Sequence, residues 1–180
     1  MTDQDPELGV RTQALPCDLT DVYCLLQEAS SWLRAQGSAQ WNPVYPIERF
    51  AREVEEGHVW CWRAEAAPLA TVTLLSRRPD YYPAGVWDDG IPAWYVCRFT
   101  VKRTLAGRRV GETLLRQLEF DAARGGVQVL RLDVVAASPF LERYYLAQGF
   151  KDCGIVEIRG ERSVLLERLV DARSRQFTPP

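Results

Sequence analysis

Two glycines and four basic side chains lie within ten residues of the stretch FTVKRTLAGRRVGETLL, Phe99–Leu115. β-Forming residues precede them, and a helical pattern follows almost at once, with Val110, Leu114, Leu115, Leu118 and Ala122 on one face. The chemistry this suits is anion binding. A strand that ends in a glycine-bearing turn and feeds a helix presents unpaired backbone N–H groups at the positive end of the helix dipole. Gly107 and Gly111 permit close backbone approach, and Lys102, Arg103, Arg108 and Arg109 add charge at the rim. The same residues also read as a solvated helix start around an ordinary turn. G-x-G-x-x-G is absent, which disfavours a dinucleotide site of Rossmann type.

Other chemistries are narrowed by what the chain lacks. His58 is the only histidine, so metal sites needing two are absent, and no G-x-S-x-G elbow accompanies it. The five cysteines, at 17, 24, 61, 97 and 153, never form a C-x-x-C pair. They are expected to be small buried apolar residues rather than disulfide or zinc ligands, and no metal cofactor is expected. Cys97 has no neighbour that would lower its pKa, which argues against a nucleophile. Twenty-two basic residues against 24 acidic ones leave a net charge of -2, no global field for nucleic acid or an anionic membrane. The acidic start MTDQDPELGV is unlike a secretory signal, and no apolar run reaches the roughly 18 residues of a membrane span, so a cytoplasmic protein is expected.

The elements that must position the anion site follow from periodicity. GVRTQAL suggests an edge strand before Pro16. Asp18 or Thr20 then caps a helix whose apolar residues recur every three and four positions to Leu33, ended by Gly37. PIERFAREVEEG is a second, shorter helix. Strands over 58–65 and 68–76 are separated by two residues, the mark of an antiparallel pair. Residues 77–90 form a long loop with two tyrosines and a tryptophan, and a loop of that length is usually functional. A strand over 91–101 enters the anion stretch, whose helix ends at Gly125-Gly126. The β-branched run 127–135 reads as a strand deep in the sheet. Ser138 and Pro139 open a helix that Gly149 closes, and two strands meet at Gly160-Glu161. At 180 residues this is expected to be one α/β domain over 1–170, with a mixed sheet, helices on both faces and a polar tail over 171–180.

With the buried strand VLRLDVVA and the following SPFLERYYLAQGF added, the chain resembles the GNAT superfamily of acyl-CoA-dependent N-acyltransferases, most sharply over Tyr95–Phe150. The resemblance implies a mostly antiparallel sheet of six to seven strands in which a central pair splays apart. It implies acetyl-CoA as co-substrate, with the backbone of Phe99, Thr100 and Val101 along its pantetheine arm. Arg103, Gly107, Arg108, Arg109, Val110 and Gly111 would then hold its pyrophosphate. YYLAQGF matches an aromatic-Tyr-x-x-x-Gly-Phe signature, which puts Tyr145 in the place of the general acid. Two departures stand out. AGRRVG carries Ala106 and Arg109 where the family has Arg or Gln and a central glycine, and Ser138 stands where many members have an asparagine that contacts the cofactor.

The implied reaction is direct acetyl transfer to a primary amine of a small molecule or peptide, with no nucleic acid or membrane partner. The general base stays open among His58, Glu65, Asp88, Asp89 and held water. Trp32, Trp41, Tyr45, Tyr81, Tyr82, Trp87 and Trp94 concentrate where the resemblance places the acceptor, some as core and some as walls for an organic amine. Asp80, Asp88 and Asp89 would attract its positive charge. The competing reading is a non-catalytic binding module with an altered pyrophosphate loop, and edge strands in the C-terminal half allow a homodimer.

Overall fold

Helical and strand periodicities resolve, in a computed structural model that describes residues 9–171, into seven strands and four α-helices. In chain order these are β1 (Thr12–Gln13), α1 (Leu19–Ala35), α2 (Ile47–Glu55), β2 (Val59–Ala64), β3 (Ala67–Leu75), β4 (Ala93–Val101), α3 (Val110–Arg124), β5 (Val129–Val135), α4 (Pro139–Ala147), β6 (Lys151–Ile158) and β7 (Glu161–Leu169). The strands form one mixed sheet ordered β1-β2-β3-β4-β5-β7-β6. Of the expected polar tail, all but Asp171 lies outside the described residues. No helix among the described residues is long and apolar enough to cross a membrane.

The chain divides into two compact units. The first contains residues to Gln36 together with Trp41–Leu74 and Cys97–Gly111. Its core gathers Val22, Tyr23 and Leu26 of α1, Phe50 and Val54 of α2, and Val59 and Cys61 of β2. β1, β2 and β3 are antiparallel neighbours, and the end of β4 is tied to β3 by Lys102 N–H donating to Leu69 O at 2.8 Å. Asp18 does not cap α1 with its side chain. Its carboxylate instead accepts the Leu15 N–H and pairs with Arg63 at 2.6 Å, closing the turn that leads into the helix.

The second unit contains Gly37–Gln40, Leu75–Val96 and the residues from Glu112 on. β4 begins there, parallel to β5 over Ala93–Tyr95, and β7 lies antiparallel between β5 and β6. Leu114, Leu115 and Leu118 of α3, Leu130, Leu132 and Val134 of β5, and Val164–Leu166 of β7 are all buried. Ser138 precedes α4 without capping it. It is fully buried, and its hydroxyl pairs with that of Ser38, which fastens the 37–40 segment.

Candidate active site

In the first unit, β4 runs into a single 3-10 turn, Arg103–Leu105, and then into the residues before α3. Gly107 (φ 81°) and Arg109 (φ 56°) are left-handed, whereas Arg108 and Val110 are not. Such alternation turns N–H groups toward one side, as in the backbone nests that bind anions, with the Arg108 N–H itself donating to Leu105 O at 3.3 Å. The first N–H groups of α3 add to it, since they have no intrahelical acceptor. A Cβ on Gly107 would meet nothing within 4 Å, so glycine is required there by its φ and not by space.

Arg109 therefore adopts the backbone conformation a glycine would supply. The departure from the family pattern leaves the nest's backbone in place, at a strain of about 1 kcal/mol. Arg109→Gly is accordingly expected to stabilise the protein by up to about 1 kcal/mol in denaturant unfolding. Unchanged or lowered stability would show that the side chain's own interactions outweigh the strain.

The same unit contains a left-handed residue within a strand, Arg98 of β4 (φ 50°). Its side chain is only 9 % exposed and forms an ion pair with Glu53 of α2. Its Nε donates to Thr73 Oγ1 at 3.3 Å, and its guanidinium lies 4.2 Å from the Tyr45 ring centroid. Tyr45 and Thr73 also donate to Glu53, at 2.8 and 3.3 Å. Burial pushes the Tyr45 phenol above its ordinary range, with Arg98 opposing and the bond to Glu53 reinforcing. Here side chains of α2 and β3 hold the left-handed residue of β4.

In the second unit, Tyr145 stacks edge-on against Phe150 (5.4 Å) and Tyr144 (5.1 Å). Part of the side chain reaches solvent, and no group among the described residues bonds its hydroxyl. Burial, followed by the charges of Tyr144 and Asp133, pushes the phenol well above its ordinary range. Its hydroxyl is therefore protonated at neutral pH. Asp133 of β5, which sequence reasoning did not single out, accepts the Tyr82 hydroxyl at 2.6 Å. Its only advance signal was a carboxylate inside a β-branched run.

The 77–90 loop is fixed rather than open. Arg131 of β5 is 1 % exposed, and it bonds Glu167 at 2.8 Å, Asp88 O at 3.0 Å and the Tyr95 hydroxyl at 3.2 Å. Its guanidinium lies 4.9 Å from the Trp87 ring. Tyr82 and Trp87 are buried and pack in the core of the second unit. Asp89 pairs with Arg78 at 3.1 Å and Asp88 accepts the Gly90 N–H at 2.9 Å. Of the other candidates, His58 sits 3.3 Å from Glu56 at the surface of the first unit, and Glu65 is an exposed left-handed turn residue between β2 and β3. Cys61 and Cys97 are buried as expected, but Cys17, Cys24 and Cys153 are exposed.

Residues 26–150 match the profile of a family described as Acetyltransferase (GNAT) family. An uncharacterized N-acetyltransferase of Bacillus subtilis (strain 168), YesJ, is 30 % identical over 142 residues, which cover 76 % of this chain and 78 % of that one. Two solved structures share the fold. A GNAT-family acetyltransferase from Listeria monocytogenes 4b F2365 superposes with a TM-score of 0.76 at 22 % identity, covering 94 % of this chain and 98 % of its own. Another from Streptococcus agalactiae 2603 gives 0.77 at 17 % identity, with 90 % and 95 % covered.

Proposed function

This chain belongs to the acetyltransferase (GNAT) family and is an acyltransferase, and from that premise we propose that it moves an acetyl group from acetyl-CoA directly to a primary amine of a small molecule or peptide, with Tyr145 as the proton donor. The observation that carries the reading is the alternating backbone at Gly107–Val110 immediately before α3. A nest of N–H groups at a helix start, rimmed by Arg108 and Arg109, fits a pyrophosphate. Acetyl-CoA supplies an acyl group already activated as a thioester.

The protein's task is then to bind, orient and move protons. Phe99, Thr100 and Val101 offer backbone N–H and C=O groups along the donor arm. Thr100 is buried, its hydroxyl turned back onto Arg98 O at 3.2 Å, so its contribution is main-chain. Tyr145 gives its proton to sulfur as the C–S bond breaks and the C–N bond forms, and regains a proton released by the amine. A phenol whose pKa is raised stays protonated for this purpose at neutral pH.

Calorimetric titration of acetyl-CoA into the wild-type protein and into Gly111→Trp, with circular dichroism to confirm folding, tests the reading. A bulky ring at the second residue of α3 is expected to weaken binding by roughly 10-fold or more, the equivalent of one lost charge-assisted hydrogen bond. A folded Gly111→Trp that binds as the wild type does would rule the nest out as the pyrophosphate site.

A further inference from the structure

Arg103, at the exit from β4, is a cation with no counter-ion among the described residues. No carboxylate among the described residues pairs with its guanidinium, and its Nε is buried without a hydrogen-bond partner. Burying part of a guanidinium in this way is unfavourable unless an acceptor arrives. The side chain is nonetheless held. Its guanidinium carbon lies 3.9 Å from the centroid of the Trp32 ring, a close cation–π stack. One turn earlier on the same face of α1, Glu28 accepts the Arg103 backbone N–H at 3.1 Å. Glu28 thus fixes the backbone of this residue and Trp32 fixes its side chain, while the Glu28 carboxylate stays out of ion-pair range of the guanidinium.

Resting on the acetyl-CoA reading, we infer that Trp32 is a positioning residue for donor binding: it holds Arg103 as an uncompensated cation that takes a phosphate of the donor. Arg103 lies four residues before Gly107, in the same turn that leads to the nest. A free arginine loses the freedom of four side-chain torsions on meeting a phosphate, and a stacked one has lost much of it already. The planar fork retains donors for charge-assisted bonds while its face lies on the indole. A leucine at position 32 would keep apolar bulk but remove the negative π face. Phenylalanine would keep both.

The test is calorimetric titration of CoA, and of dephospho-CoA, which lacks the 3′-phosphate, into the wild type, Trp32→Leu, Trp32→Phe, Arg103→Leu and the Trp32→Leu/Arg103→Leu double variant. Arg103→Leu and Trp32→Leu are each expected to raise the Kd for CoA roughly 5- to 10-fold, the range of one cation–π-held contact. Trp32→Phe should bind within about 2-fold of wild type, and the double variant no worse than Arg103→Leu, since the tryptophan acts through the arginine. A loss seen equally with dephospho-CoA assigns Arg103 to the pyrophosphate, and one confined to CoA assigns it to the 3′-phosphate. Either supports the inference. Wild-type affinity in Trp32→Leu, or losses that multiply in the double variant, would overturn it while leaving the acetyl-CoA reading intact. Absence of CoA binding by the wild type would overturn both.

Discussion

Tyr145→Phe is expected to lower kcat by roughly 10²- to 10³-fold while leaving the donor KM nearly unchanged, the pattern of an interaction made in the transition state alone. The substitution removes one oxygen. The ring contacts with Phe150 and Tyr144 depend on the ring and survive it, and no group among the described residues loses a hydrogen-bond partner. Loss of rate therefore cannot be ascribed to misfolding. The pH dependence gives a second readout. Burial raises the folded-state pKa of Tyr145 above the unfolded value of about 10, so its neutral form is favoured by folding. That contribution to stability is complete below about pH 10 and is lost as pH rises through the folded value, a dependence the phenylalanine variant lacks. Across pH 7–10 the wild-type rate should show no fall from ionisation of Tyr145. Undiminished kcat in the phenylalanine variant, with acetyl-CoA and a competent amine, would remove Tyr145 from the chemistry.

The strand-turn-helix at 99–115 was legible because its signals are local: β-formers, glycines and helical spacing within 17 residues. The element order was legible for the same reason. Position in the sheet was not. β7 inserts between β5 and β6, and nothing in the hairpin sequence around Gly160 tells which of its two strands pairs inward. The aromatic residues of the 77–90 loop could not be apportioned in advance, because they read alike whether they meet a ligand or a core. What decides between those roles is Arg131, some 40 residues on, a buried charge that takes the Asp88 carbonyl and lies near the Trp87 ring. Arg109 was legible only as a departure from the family's central glycine. Its backbone conformation, that of a glycine carried at moderate cost, was not. The pairing of Trp32 with Arg103 joins α1 to a turn far along the chain, and no periodicity announces it.

Glu53 is the clearest instance of a residue whose importance depends on non-local partners. In the sequence it is one of several acidic residues on a short amphipathic helix. In the structure it accepts from Arg98, 45 residues away, and also from Tyr45 and Thr73. Glu53→Ala would leave Arg98, 9 % exposed, as a charge without its counter-ion, and would orphan the Tyr45 hydroxyl as well. Removing one partner of a buried pair costs about 3 kcal/mol or more, because the remaining charge has no water to return to. At this chain length the unfolding midpoint should fall by roughly 6–12 °C. Glu53→Gln, which keeps two acceptor lone pairs but no charge, should fall by less. The pair also maintains the left-handed backbone at Arg98, one residue before the main-chain groups of Phe99–Val101 that would meet the donor. Glu53→Ala is therefore expected to weaken acetyl-CoA binding at temperatures where the variant is still folded. The Arg98→Met/Glu53→Leu double variant separates the two effects. Apolar replacement of both partners should recover much of the lost stability, while donor affinity stays impaired if the ion pair sets the left-handed backbone at Arg98. Full recovery of both would show that the clamp is structural alone.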